Sequence, residues 1–128
     1  MGFTYQQIGA YGAGMQFRNK LSDSSNGTKS NLNNTSATSS AIKSISFKWN
    51  DSRQIYENTN MLKITFASSS SFSGGEVKML NTEADVRQYT VSPSGSNFTF
   101  VKIEIDDDFT FTCYWDSMKF VCFLRMIT

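Results

Sequence analysis

The chain has 128 residues, with 12 Lys and Arg against 11 Asp and Glu, which gives a formal net charge of +1. This balance leaves no strong field to attract nucleic acid or an anionic membrane. Histidine is absent, so neither a Ser-His-Asp triad nor a Cys-His pair can form. No apolar run approaches the roughly 20 residues that cross a bilayer as a helix.

The length predicts one domain over residues 1–128. Its core is expected to be bulky, because the chain carries 11 Phe, 5 Tyr and 2 Trp.

Residues 1–21 predict an N-terminal arm or a short helix. A loosely helical spacing is shown by Tyr5, Ile8, Tyr11 and Met15. Three glycines between positions 9 and 14 each disfavour a helix by about 1 kcal/mol relative to alanine. Residues 22–40 are a polar tract with Leu32 as its large apolar residue, and they predict a long loop.

Alternation of apolar and polar residues predicts strands in the middle of the chain. Residues 41–49 and 60–67 alternate most clearly, and their predicted inward residues are Ile45, Phe47, Trp49, Leu62, Ile64 and Phe66. Two shorter strands are expected at 76–80 and 86–91, with inward residues Val77, Met79, Tyr89 and Val91.

The C-terminal part predicts three consecutive antiparallel strands, at residues 97–105, 109–115 and 120–127. Asp106–Asp108 would form the first hairpin loop. Three adjacent carboxylates can contribute to a calcium site, but the EF-hand spacing is absent. A solvated turn is the interpretation we adopt, and cation binding stays open.

The second hairpin raises the question of a disulfide. A two-residue turn at Asp116-Ser117 would pair Cys113 with Phe120, whereas a four-residue loop would pair Cys113 with Cys122. Asp-Ser suits the positive φ angles of a type I′ turn poorly, so the four-residue loop is preferred. Facing cysteines on adjacent strands can form a disulfide. The alternative is two buried free thiols that act as small apolar residues.

These elements predict an all-β fold, an antiparallel β-sandwich or small barrel of about seven to eight short strands. Clean alternation favours antiparallel sheets with one solvated face.

One face of the last hairpin is apolar although it should be the outer face. Its residues are Tyr114, Val121, Phe123 and Ile127. Such a face is expected to be covered. The cover is either residues 3–17 of the same chain or a second copy. The second possibility predicts a non-enzymatic, self-associating structural or accessory protein, for example of a virion, fibre or filament.

A carbohydrate-binding or adhesin-like module is the alternative function. Tyr56 and Tyr114 lie off the main apolar faces and would stack on sugar rings. Paired carboxylates for catalysis would have to come from Glu57, Glu83, Asp85, Glu104 and Asp116, whose separations a sequence does not reveal. Because surface carboxylates are usually only solvated, we predict no catalytic residues, no metal site and no cofactor.

The expected partners are further copies of the chain or a glycan, and neither nucleic acid nor a membrane span is expected. Met1–Thr4 have neither the basic nor the apolar region of a signal peptide. Localisation therefore stays undetermined.

Overall fold

The computed structural model describes residues 3–6, 8–11, 14–18, 31–49, 57–105 and 119–128. Within them the chain forms ten β-strands and no helix. The strands are β1 (Phe3–Gln6), β2 (Ile8–Tyr11), β3 (Gly14–Arg18), β4 (Asn31–Asn34), β5 (Ser44–Trp49), β6 (Asn58–Ala67), β7 (Glu76–Thr82), β8 (Gln88–Val91), β9 (Phe100–Ile105) and β10 (Lys119–Ile127).

The strands form two antiparallel sheets. The first sheet has the order β1-β4-β9-β6-β7, and the second has the order β2-β3-β10-β5-β8. This confirms the predicted all-β class with antiparallel pairing. The described part already contains more strands than the seven to eight expected from the sequence.

One hydrophobic cluster draws its buried side chains from both sheets. Its members include Leu62, Ile64 and Phe66 from the first sheet and Ile45, Phe47 and Trp49 from the second. All six were predicted to point inward, and the structure confirms each of them. Tyr89 and Val91 of β8 also lie at this cluster, as predicted.

Strand β7 corrects the prediction for residues 76–80. Val77 is 47% exposed, whereas Leu80 and Thr82 are buried. The pairing with β6 explains the difference, because it sets Leu80 opposite the buried Leu62. Residues opposite each other share a face of the sheet, so Val77 and Met79 must point outward.

The N-terminal prediction is also corrected. The described residues between 3 and 18 form three strands, not a helix, and these strands pair within sheets instead of forming a loose arm. β1 pairs with β4 in the first sheet, while β2 pairs with β3 beside β10 in the second. Extended pairing avoids the helical penalty of the glycines in this segment.

The predicted loop 22–40 contains an inner strand, β4, between β1 and β9. Leu32 and Asn34 on its inner face are buried. The Asn34 Oδ1 accepts a hydrogen bond from the Val101 N–H at 2.8 Å, and its Nδ2 donates to the carbonyls of Ser36 and Thr99 at 2.8 and 3.0 Å. The backbone register of β4 with β9 ends at Asn33, so the Asn34 amide continues the pairing where the two backbones part.

The C-terminal strands lie in different sheets, which corrects the expected three-strand meander. β9 lies between β4 and β6, whereas β10 lies between β3 and β5. Cys122 is paired with Met15 on one side and Trp49 on the other. Because both edges of β10 are occupied at Cys122, a neighbouring strand cannot set Cys113 opposite it, and the preferred register is wrong.

Phe100 is buried although the sequence places it on the outer face of β9 with Lys102. The turn after β6 folds over it, and the Phe72 ring meets the Phe100 ring edge-on at a centroid distance of 6.2 Å. The Lys102 Nζ lies 5.0 Å from the centroid of the Phe72 ring. Phe72 adopts a positive φ of 60°, which is strained for a bulky residue. Packing of its half-buried ring against Phe100 offsets part of that strain.

Candidate association surface

The outer face of the second sheet carries the described part of the predicted association surface. Arg125 of β10 is paired with Ser46 of β5, which in turn is paired with Thr90 of β8. The hydroxyl oxygens of Ser46 and Thr90 lie 3.2 Å apart and share a hydrogen bond. Arg125 and Thr90 are exposed. Because Met126, the next residue of β10, packs against the core, Arg125 faces away from it.

Ile127 lies at the end of this face and is 38% exposed. Its cross-strand partner is Ser44, and its carbonyl accepts a hydrogen bond from the Lys43 N–H at 2.7 Å. The backbone that carries Ile127 is therefore held in place while the side chain meets solvent.

In the sequence, Val121 and Phe123 continue the two-residue period of Arg125 and Ile127. Phe123 is paired with Lys48, whose side chain is exposed. Lys48 was not predicted as a neighbour of this surface. The signal for it is non-local, since Lys48 belongs to a strand more than 70 residues earlier in the chain.

The N-terminal segment does not lie over this surface in the described residues. β2 and β3 extend the second sheet sideways from β10, and β1 belongs to the other sheet. A strand that pairs edge to edge leaves both faces of its neighbour open. The prediction that residues 3–17 cover this surface is therefore wrong for the described strands, which pair within the two sheets.

Several predicted site residues lie outside the described residues. These are Tyr114 of the association surface, Tyr56 and Tyr114 of the glycan hypothesis, Cys113, Asp116 and Asp106–Asp108. The disulfide between Cys113 and Cys122 stays a prediction, separate from the corrected register.

The described tyrosine with the clearest role is Tyr89, and that role is structural. Its ring meets the Trp49 ring edge-on at a centroid distance of 5.6 Å. Its hydroxyl accepts from the Glu83 N–H and donates to the Val86 carbonyl, both at 2.8 Å. Tyr89 therefore closes the turn between β7 and β8.

No group of three or more metal-ligating side chains occurs among the described residues. Of the candidate carboxylates, Glu104 lies 3.9 Å from the Lys63 Nζ on the outer face of the first sheet. Both side chains are partly exposed, so this ion pair contributes little to stability. Buried side-chain polar atoms in the described part of the chain all have hydrogen-bond partners.

Comparison with known proteins gave no match to a family model, to a curated protein or to a solved structure. Within the part of the chain that the structure covers, no helix has the length and apolar character needed to cross a membrane.

Proposed function

We propose that the protein is a non-enzymatic β-sandwich that self-associates as a structural or accessory subunit, for example of a virion, fibre or filament. The observation that carries the proposal is the outer face of β10, where Ile127 is exposed and no described segment of the chain covers it.

The sandwich arrangement is supported by the shared core. Ile45, Phe47 and Trp49 of the second sheet belong to the same buried cluster as Leu62, Ile64 and Phe66 of the first. Two antiparallel sheets that bury alternate residues against each other form a sandwich.

Self-association is supported by the composition of the outer face. The sequence places Val121 and Phe123 in line with Ile127, and the flanking side chains Lys48 and Arg125 are exposed. Aromatic residues and arginine are enriched at protein–protein interfaces, and Arg125 lies in the same row as Phe123 and Ile127. A second copy of the chain would bury the apolar side chains of this row.

The engaged polar side chains argue against a catalytic role. Asn34 and Tyr89 bind backbone groups of their own chain, so their polar atoms stabilise the fold. An amide or hydroxyl that bonds the backbone in this way is a poor candidate for catalysis, which needs the group near a substrate.

The experiment is light scattering of the purified protein over a concentration series, with electron micrographs if the particles are large. Wild type is expected to exceed the monomer mass of 14.4 kDa. Ile127→Asp should weaken association by at least about tenfold, since an unpaired charge would be buried at the interface. Phe123→Asp should act in the same direction.

Val77→Asp is the matched control, because Val77 is an exposed β-branched residue on the outer face of the other sheet. It should leave the mass unchanged, and near-ultraviolet dichroism should show that every variant stays folded. A wild type that remains at 14.4 kDa at its highest soluble concentration would overturn the proposal. The glycan-binding alternative would then be tested on a glycan array.

A further inference from the structure

The crossover from β8 to β9, residues 92–99, carries the chain from the second sheet to the first. It is attached to the edge strand β7 by Glu76. The Glu76 Oε2 accepts a hydrogen bond from the Ser94 N–H at 2.6 Å, and Oε1 accepts one from the Gly95 N–H at 2.8 Å. Both oxygens of one carboxylate therefore hold two consecutive amides of the crossover.

Lys78 strengthens the same attachment. Its Nζ donates to the Ser94 Oγ at 2.8 Å and lies 3.8 Å from the Glu76 Oε2. The facing residues of β6, 64–67, and the crossover residues 92–96 carry no charged side chain. Among the described residues, Lys78 is thus the charged group that faces Glu76.

The attached turn lies close to the core. A Cβ on Gly95 would come within 3.0 Å of the Phe98 Cε2 and 3.3 Å of the Glu76 Oε1. The Phe98 ring packs against the Phe66 ring at a centroid distance of 6.3 Å. The position of residues 94 and 95 is therefore linked through Phe98 to the rim of the buried cluster.

We propose that Glu76 is an acid-sensitive latch: its carboxylate holds residues 92–96 against β7, and protonation releases them. A carboxylate accepts with both oxygens, whereas the protonated group carries a hydrogen on one of them and loses the charge that strengthens both bonds. The backbone bonds at residues 98 and 99 do not involve Glu76, so release would be confined to the preceding turn.

The direction of the pH effect follows from the contacts. The amides of Ser94 and Gly95 lower the pKa of Glu76 below its ordinary value of 4.5, and the Lys78 charge lowers it further, while burial opposes them. A lowered pKa in the folded state means that the contact stabilises the fold fully above the unfolded-state pKa. That contribution is lost as the pH falls through the folded-state pKa.

The experiment follows the backbone amide resonances of Ser94 and Gly95 from neutral pH to about pH 2, a range that spans ordinary carboxyl titration. In wild type both resonances should shift together, with one midpoint below 4.5. Protection of both amides from hydrogen exchange, relative to intrinsic rates at each pH, should fall about tenfold or more across the same step.

Three variants isolate the cause. Glu76→Gln should remove the titration from both amides, while Lys78→Met should move the midpoint upward. Glu83→Gln is the matched control, since Glu83 is an exposed glutamate whose backbone bonds Tyr89, and it should leave the midpoint unchanged. If Glu76→Gln does not fold, the comparison of wild type with Lys78→Met and Glu83→Gln still decides, because only a Glu76 titration should move with Lys78. Amides that show no common titration, or that titrate unchanged in Glu76→Gln, would overturn the latch.

Discussion

Strands β4 and β6 lie in the same sheet, both with neighbours on each side, yet their sequences have little in common. β6 presents Leu62, Ile64 and Phe66 to the core, and all three have no exposed surface. β4 reads Asn-Leu-Asn-Asn and presents Leu32 and Asn34. Burial of apolar area stabilises β6, whereas β4 also depends on the amide of one buried asparagine. A strand can therefore be specified by hydrogen bonds to distant backbone as well as by its apolar pattern.

The largest expected effect on stability is at the apolar core residues of β6. Phe66→Ala removes a fully buried ring and leaves a cavity, so it should lower the free energy of unfolding by about 3–5 kcal/mol. Chemical denaturation with linear extrapolation measures the change. Val77→Ala, on the exposed face of the adjacent strand, should have little effect. A harmless Phe66→Ala would mean that the shared core is wrongly placed.

The next largest effect is expected for the buried amide of Asn34 in β4. Asn34→Ala leaves the buried Val101 N–H without this partner, which should cost about 1–3 kcal/mol, while the Thr99 carbonyl keeps its hydrogen bond from the Thr38 N–H. Asn33→Ala is the comparison variant, because Asn33 is only partly buried, faces the other way and donates from its Nδ2 to the adjacent Asn34 carbonyl at 3.2 Å. It should cost less than Asn34→Ala, since this bond is local and leaves no buried backbone N–H unpaired. Equal losses of unfolding free energy in the two variants would show that the buried hydrogen bonds of Asn34 are not what stabilises β4.

A smaller effect is expected at the rim of the core. Tyr89→Phe keeps the ring against Trp49 but removes the hydroxyl that bonds Glu83 and Val86. Loss of these partly exposed bonds should cost about 1 kcal/mol, with faster hydrogen exchange at the Glu83 amide. A loss as large as that of Phe66→Ala would show that the hydroxyl, and not the ring, positions β8.

The smallest effect is expected on the outer face of the first sheet. The Lys63 Nζ and the Glu104 Oε1 are 3.9 Å apart, and both side chains are solvent-accessible. A double-mutant cycle with Lys63→Ala and Glu104→Ala should give a coupling energy below about 1 kcal/mol that decreases with added salt. A larger, salt-independent coupling would show that this outer face is covered.

The local alternation of apolar and polar residues was sufficient to predict the inward faces of β5, β6 and β8. Backbone geometry imposes a two-residue period on every strand, and large apolar side chains must leave water, so the inward residues of these strands follow from the sequence. The same reasoning placed Ile127 on the outer face of the last strand. It could not place Lys48 beside Phe123, because that neighbour depends on which strand pairs with β10.

What the sequence by itself determined is therefore the all-β class and the inward face of each strongly alternating strand. Tertiary structure decided the rest: the face of β7, the strands within residues 1–34, and the separation of β9 and β10 into two sheets. The physical reason is that a weak or polar alternation fits either face and several partners. Only pairing with distant strands selects one, as the bonds of Asn34 to Thr99 and Val101 do for β4.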